Sequence, residues 1–458
     1  MFAKIQRIHF VGIGGIGMSG IAEVLLTLGY KISGSDLKES PVTERLRGLG
    51  ATIYIGHRAE NVTGAEVVVT SSAISRDNPE VAAAHSASIA LIQRAEMLAE
   101  LMRLKYGIAV AGMHGKTTTT SMVAAVLAAG GLDPTVVVGG RVDAMGSNAR
   151  LGKSQYLVAE ADESDRSFLK LSPIIAVVTN IDREHMDTYR DMADVEQTFV
   201  DFLDRLPFYG MAVVCGDDER VRNLIPRMAR RAVTYGARAE NDFRLEMLPR
   251  GQGYSRFTVA YENASLGEFQ LFVPGMHNVL NATAAIAVGV GLDIPPEKIR
   301  AGLEHFRGVD RRFQVKGTAA GVTVVDDYGH HPTEIRATLA AAKQYGCKQL
   351  HVIFQPHRFT RTRDLMDEFA TAFSDADTLQ VLDIYPASEA PIPGITAQAL
   401  VERMAGKGRS ATRAASFADA VSQCVAQAQP DDLVITLGAG NVSQVGPLVL
   451  EALNAAKK

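Results

Sequence analysis

Val110-Ala111-Gly112-Met113-His114-Gly115-Lys116-Thr117-Thr118 reads as the end of a buried strand, a glycine-rich turn and the first turn of a helix. Glycines in such a turn let backbone N–H groups face phosphate oxygens, and the helix N-terminus adds partial positive charge. Gly112, Met113, His114, Gly115 and Thr118 then form a candidate phosphate cradle. Lys116 is the side chain that reaches the β- and γ-phosphates, and Thr117 is a hydroxyl that can ligate Mg2+. The run departs from G-x-x-x-x-G-K-[ST] in one place, because Val110 stands five positions before Gly115 and the first glycine is Gly112. A strand, Gly-Lys-Thr and a helix in register lead us to expect a nucleoside triphosphate here. A glycine turn that only links two elements is the bland alternative.

Working outward, Gln155–Ala159 and Ile174–Val178 read as further buried strands, each followed by a polar cluster. Ligands in parallel α/β sheets sit at the carboxyl ends of the strands. Mg2+ needs hard oxygen ligands, and Val158-Ala159-Glu160-Ala161-Asp162-Glu163-Ser164-Asp165 supplies carboxylates there, with Glu160 the first choice. Thr179-Asn180-Ile181-Asp182-Arg183-Glu184-His185-Met186-Asp187 places an imidazole among acids. An acidic run is usually a solvated face and a lone histidine usually structural. Their placement at strand ends on the side of the phosphate turn reverses both expectations.

Near the N-terminus, Gly12-Ile13-Gly14-Gly15-Ile16-Gly17 lies between an apolar run, Ile8 to Val11, and a helical pattern from Ile21 to Leu28, with Asp36 19 residues beyond Gly17. This is the dinucleotide fingerprint in its usual context. Gly12, Gly14, Gly15 and Gly17 permit close approach of a diphosphate, which could belong to NAD or to a UDP-sugar. A purely structural glycine turn is again the alternative.

Short apolar runs alternating with helical stretches predict an α/β chain of three domains: residues 1–105, Rossmann-like; 106–310, a mixed sheet of the P-loop ATPase type; and 311–458, Rossmann-like. Between about Asp242 and Val273 the period turns to alternation around Gly251-Gln252-Gly253, which predicts an antiparallel meander. Strands are also expected near Val322 to Val325, Gln349 to Phe354, Leu379 to Asp383 and Leu433 to Leu437. The 458 residues carry a formal net charge of −4, too little positive field to hold a nucleic-acid backbone. Three scattered cysteines, an N-terminus without a signal-peptide pattern and no bilayer-length apolar run lead us to expect reduced thiols, a cytoplasmic protein and no membrane insertion.

At several spaced motifs the chain resembles the Mur ligase family. They are Gly12 to Glu23, Gly115-Lys116-Thr117-Thr118-Thr119-Thr120, Glu160 to Asp165, Asn180 to Asp187, Gly275-Met276-His277-Asn278-Val279-Leu280-Asn281-Ala282, Asp310-Arg311-Arg312-Phe313, Asp326-Asp327-Tyr328-Gly329-His330-His331-Pro332-Thr333-Glu334 and Gln355-Pro356-His357-Arg358-Phe359-Thr360-Arg361. The resemblance runs in order along essentially the whole chain. It implies a ligase that uses ATP and Mg2+ to join L-alanine to the lactyl carboxylate of UDP-N-acetylmuramate through an acyl phosphate, acting as a monomer or weak homodimer. Position by position, it implies that Gly12, Gly14, Gly15, Gly17, Met18, Ser19, Ser35, Asp36, Ser71 and Ser72 hold the UDP-sugar, so that the first domain binds no NAD. Lys116 and Thr117 take the phosphates and Mg2+, with Glu160 and His185 as further metal ligands. His277, Asn278 and Asn281 contact the adenine and Arg312 the triphosphate. Asp327, Tyr328 and His330 close over the nucleotide, and His357, Arg358 and Arg361 hold the reacting carboxylate and L-alanine. The bland readings are helix-capping asparagines at Asn278 and Asn281, and a solvated helix face at Arg358 and Arg361.

Two departures stand out. Met113 replaces the threonine usual in the family's phosphate turn, which implies tuning of the site, since backbone N–H groups supply most of the grip. Thr188 to Asp204 contains no lysine, where many family members that add later residues carry a carbamylated one. Two rival readings are a ligase that recycles a whole tripeptide onto the same UDP-sugar and, from another class, an NAD-binding dehydrogenase or redox sensor.

Overall fold

The computed structural model describes residues 5–71, 73–142, 147–249 and 253–456. Its α/β architecture contains three sheets. The first has five parallel strands in the order Thr52–Ile55, Lys31–Asp36, Arg7–Val11, Val67–Thr70, Ala90–Gln93. The chain reverses its direction of strand addition on either side of Arg7–Val11, so the Gly12 turn leaves the sheet at its switch point.

The second sheet has ten strands, and Tyr106–Ala111 lies inside it between Ile175–Val178 and Tyr156–Glu160. Both neighbours are parallel to it, with Val178 level with Ala111 and Glu160 level with Val110. The phosphate turn and both acidic runs therefore leave the sheet along one edge. Ile108, Ala109, Val110 and Ala111 have no exposed surface. A parallel strand covered on both faces reads as a continuous apolar run for that reason. Thr135–Val142, Met211–Cys215 and Ala232–Gly236 are additional strands that the sequence reading did not mark. Apolar runs that short are not separated from helix by periodicity.

The expected meander is present as Phe243–Met247, Ser255–Tyr261 and Ala264–Leu271, consecutive neighbours at one end of this sheet. Glu262 and Asn263 both have positive φ, 49° and 65°, as a two-residue primed hairpin turn requires. Gly251 and Gln252, around which the alternation centred, lie outside the described residues.

The third sheet runs Gln314–Ala319, Val322–Asp327, Leu433–Leu437, Leu350–Phe354, Thr378–Val381, Thr412–Arg413. Its first pair is antiparallel and the other pairs are parallel. Cores around Phe354, Phe369 and Phe373 on one side and Val324, Ile353 and Val449 on the other show that both faces are covered. The chain divides into two compact units: residues 1–246, 257–269 and 280–306, and residues 247–256, 270–279 and 307–458. The phosphate turn belongs to the first unit, and the His330 and His357 segments belong to the second.

Candidate active site

Gly112 and Gly115 have φ of 127° and 83°, values open to glycine and strained for other residues. They turn the chain from Tyr106–Ala111 into the helix Lys116–Ala129, whose N-cap is Gly115. Asn180 ties the turn from the neighbouring strand end: its Oδ1 accepts from His114 N at 2.9 Å and its Nδ2 donates to His114 O at 2.9 Å. Thr179 Oγ1 also donates to His114 O, at 2.7 Å. The His114 ring lies 3.0 Å from Asp182. Met113 is buried in the core, which accounts for an apolar side chain at that position.

Lys116 Nζ donates to Gly112 O at 2.7 Å, Met113 O at 3.1 Å and Glu163 Oε1 at 2.9 Å. Burial disfavours its ammonium, but the charges of Glu163 and Asp162 outweigh burial and hold the lysine above its ordinary value. His185 Nε2 stands 3.4 Å from the same Glu163 oxygen. Burial lowers its proton affinity and the bond to Glu163 raises it further than burial lowers it, so the imidazole also sits above its ordinary value. His185 holds φ of 57°, and its carbonyl accepts from Thr188 N and Tyr189 N at 2.9 and 3.1 Å. A non-glycine residue in that region costs on the order of 1 kcal/mol or more, which surrounding structure must offset.

Glu163 is 1% exposed, and its Oε2 is buried with no hydrogen-bond partner among the described residues. A buried carboxylate oxygen without a partner is costly, and a hard dication beside it would satisfy it. With Glu160 at the end of the adjoining strand and Thr117 in the first turn of the helix, the residues present fit a Mg2+ ion.

In the first domain, Gly12 N and Ile13 N donate to Ser35 O at 2.8 and 2.9 Å, and Gly14 N donates to Asp36 Oδ2 at 2.9 Å. The Asp36 carboxylate thus holds the glycine turn itself. The Ser35 hydroxyl points away from that turn into a buried cluster: it donates to Glu80 Oε2 at 2.6 Å and lies 2.9 Å from His57 Nδ1. Asn61 Nδ2 donates to Glu80 Oε1 at 2.5 Å, and His9 Nε2 lies 3.6 Å from Glu80 Oε2. Met18 and Ser19 are buried in the helix Ile16–Thr27. Ser71 is half-buried, and Ser72 lies outside the described residues.

In the second unit, Arg312 pairs with Glu334 at 3.3 Å, and its guanidinium lies 5.2 Å from the centre of the Tyr328 ring. Tyr328, His330 and His357 follow one another ring to ring, at 5.4 and 5.9 Å, and His357 stacks on Tyr385. Arg361 Nη1 is 3.3 Å from His357 Nδ1. Burial, then His330 and Arg361, push the His357 imidazole down to about 3. Burial and Arg312 push His277 down to about 4. Asp327 turns its carboxylate onto its own loop, accepting from Phe313 N and Gly329 N, both at 2.7 Å.

Three family models account for most of the sequence: Mur ligase family, catalytic domain, over residues 7–106; Mur ligase middle domain, over 110–289; and Mur ligase, glutamate ligase domain, over 311–440. The chain is a Mur ligase. Among its relatives, the UDP-N-acetylmuramate--L-alanine ligase of Koribacter versatilis is 69% identical, with 100% of this chain and 99% of the relative covered. That of Acidobacterium capsulatum is 63% identical over 99% of both. The crystal structure of UDP-N-acetylmuramate-alanine ligase from Thermotoga maritima matches with a TM-score of 0.83 at 30% identity, covering 98% of this chain and 99% of that one. A murein peptide ligase from Psychrobacter arcticus shares the fold, with a TM-score of 0.70 at 23% identity over 98% and 99% of the two chains.

Within this Mur ligase, the structure gathers Gly112 to Thr118, Glu160 and His185 at one sheet edge, and His277, Arg312, Tyr328, His330, His357 and Arg361 in the second unit. Asn281 is buried, with its amide against Gly115: a Cβ on that glycine would stand 2.8 Å from Asn281 Oδ1. Asn278 donates from Nδ2 to Pro274 O at 2.6 Å, a bond to the chain just before its own helix. Arg358 is exposed, at φ of 71° before the short helix Phe359–Asp364. The sequence reading missed Glu163 as the partner of Lys116, Asn180 as the tie on the phosphate turn, and Glu80. Glu163 stood in the acidic run already marked, but spacing does not say which of its carboxylates faces the lysine.

Proposed function

We infer that this Mur ligase joins L-alanine to the lactyl carboxylate of UDP-N-acetylmuramate, converting ATP to ADP and phosphate. The observation that carries this is likeness over the full length, at 69% identity, to a ligase of that name. A lysine in the phosphate turn, Lys116, which donates to the turn carbonyls and to Glu163, supports this reading. For the tripeptide-recycling reading the likenesses are 23% and 27% identity to solved ligases, the second over 67% of this chain, well below 69% over the full length. The redox reading has nothing comparable in its favour. Among the described residues no helix is long and apolar enough to cross a membrane.

An amide does not form from a carboxylate and an amine in water without a leaving group. An oxygen of the lactyl carboxylate attacks the γ-phosphorus, the bond from that phosphorus to the β,γ-bridging oxygen breaks, and ADP departs. Lys116 and the N–H groups of the turn spread the negative charge on the transferring group. Thr117, Glu160, Glu163 and His185 would hold Mg2+, which supplies further charge neutralisation at the phosphates. The neutral amine of L-alanine then attacks the acyl carbon, the carbon–oxygen bond to phosphate breaks, and the amine proton is lost. Arg361, beside His357, is the group we assign to the carboxylate of L-alanine, since a guanidinium binds a carboxylate through two parallel hydrogen bonds. His357 stays neutral at pH 7 and adds no charge there.

The test is phosphate release by the purified protein with ATP, Mg2+ and UDP-N-acetylmuramate while the amino acid is varied. Release that depends on L-alanine, with product mass equal to the sum of both substrates less water, is expected. Release that is indifferent to the amino acid, or that requires a tripeptide, would overturn the reading.

A further inference from the structure

Arg94 is the first residue of the helix Arg94–Arg103, directly after the last strand of the first sheet. Its guanidinium donates to Asp162 Oδ2 at 3.0 Å. The same side chain lies over Gly17, where a Cβ would stand 2.6 Å from Arg94 Nη1 and 3.1 Å from its Cδ. Gly17 is in the first turn of the helix Ile16–Thr27, where backbone N–H groups lack helical partners and favour an anion. One guanidinium thus touches both the glycine turn of the first domain and the acidic run beside the phosphate turn.

Asp162 is fixed at both oxygens. While Oδ2 accepts from Arg94, Oδ1 accepts from Ser164 N and Ser164 Oγ at 3.1 and 2.7 Å. The next residue is Glu163, which accepts from Lys116. A second tie, from Lys170 to Gln93 and Glu96 at 2.8 and 3.1 Å, holds the same segment to the start of the same helix. Asp162 uses only part of a fork of five N–H donors, and the rest of the guanidinium faces the Gly17 turn.

We propose that Arg94 is a positioning residue that couples the two nucleotide sites: it contacts a diphosphate seated on the glycine turn while holding, through Asp162, the segment that presents Glu163 to Lys116. A diphosphate on Gly12 to Gly17 draws the guanidinium into one place, and the acidic run is fixed with it. The second nucleotide then meets a site already ordered. Such coupling is reciprocal, and typical values are about 5- to 150-fold. The inference rests on the ligase reading, which supplies the diphosphate in the first domain and the triphosphate at Lys116.

Calorimetry measures it. The dissociation constant of a non-hydrolysable ATP analogue with Mg2+ is determined with and without saturating UDP-N-acetylmuramate, for the wild-type chain, Arg94→Ala, Asp162→Asn and the double variant. We expect tightening of about fivefold or more in the wild type, and a ratio within about twofold of one in all three variants, because each breaks the same link. Arg94→Lys keeps a cation against Asp162 but loses the fork, so it should keep part of the ratio; it also serves if the alanine variant does not fold. A wild-type ratio of one, or an undiminished ratio in both Arg94 variants, overturns the proposal. Separate binding of each ligand to the wild type tests the underlying reading independently. A chain that binds the ATP analogue but never UDP-N-acetylmuramate defeats that reading and the coupling with it.

Discussion

Lys116 and Glu163 confine opposite charges in a site where neither has much water, their side chains being 18% and 1% exposed. Removing one member of such a pair leaves the other uncompensated, at a cost of roughly 3 to 5 kcal/mol when both are fully buried, and less for a lysine that keeps some exposure. Lys116→Ala is therefore expected to abolish phosphate release and also to lower the thermal midpoint. Adding Glu163→Gln should recover much of the midpoint without any activity. Recovery of activity in the double variant would show that the lysine serves the turn alone. Arg361 gives a second case at this scale. Arg361→Lys keeps the charge and loses the planar fork. The KM for L-alanine should then rise by about tenfold with the KM for ATP changed less than about twofold. Steady-state kinetics with each substrate varied in turn will decide, and movement of the ATP constant alone would place Arg361 at the nucleotide.

The strand Tyr106–Ala111, its turn and the helix Lys116–Ala129 work as one element, and its glycines are not equivalent. Gly112 has φ of 127°, and a Cβ there would run into Thr179 Oγ1 and stand 3.0 Å from Thr179 N. Gly131, just beyond the other end of the helix, has φ of 84°, and among the described residues nothing lies within 4 Å of an added Cβ. Gly112→Ala must displace the turn from Thr179 and Asn180, so the KM for ATP should rise by at least about tenfold. Gly131→Ala should cost only the left-handed backbone, about 1 kcal/mol, and leave the kinetics unchanged. Equal kinetic effects from the two changes would mean that general destabilisation, and not the shape of the turn, controls activity.

Over the whole molecule, two half-buried histidines and a buried glutamate make stability fall in acid, each over its own pH window. His277 and His357 have folded-state pKa values near 4 and near 3, below the ordinary value of about 6.5. The unfolded chain binds more protons below pH 6.5, so stability falls as pH drops through that window. A tenfold change in proton affinity is worth about 1.4 kcal/mol, so each histidine should cost about 3 kcal/mol by pH 4, roughly 6 kcal/mol for the pair. Glu80 acts in the same direction at lower pH. Burial opposes its charge, but bonds from His9, Ser35 and Asn61 outweigh burial and hold it near 2. Its contribution is complete above about pH 4.5 and is lost only as pH falls from there toward 2. Urea unfolding at pH 7, 5.5 and 4 should show a decline that His277→Gln with His357→Gln flattens. Glu80→Gln should lower stability by a similar amount at pH 7 and 5.5. A flat wild-type profile over that range would refute the assignment of neutral His277 and His357.

By itself the sequence determined the phosphate turn and the buried strands beside it. A glycine that must turn the backbone, a lysine opening a helix and apolar runs buried on both faces are local requirements, legible within a few residues of one another. The resemblance at spaced motifs extended this to a three-domain ligase. What only the tertiary structure decided is where side chains beyond those turns point. Glu163 meets Lys116 because parallel pairing sets Glu160 level with Val110, which carries the acidic run past the turn. Ser35 gives its hydroxyl to Glu80, 45 residues away in sequence, and Asp327 closes its own loop. Arg94 gains a meaning only when Gly17 and Asp162 arrive on either side of it. A strand end or loop leaves several rotamers open to each polar side chain, and the partner that selects one comes from a distant part of the chain, where no periodicity records it.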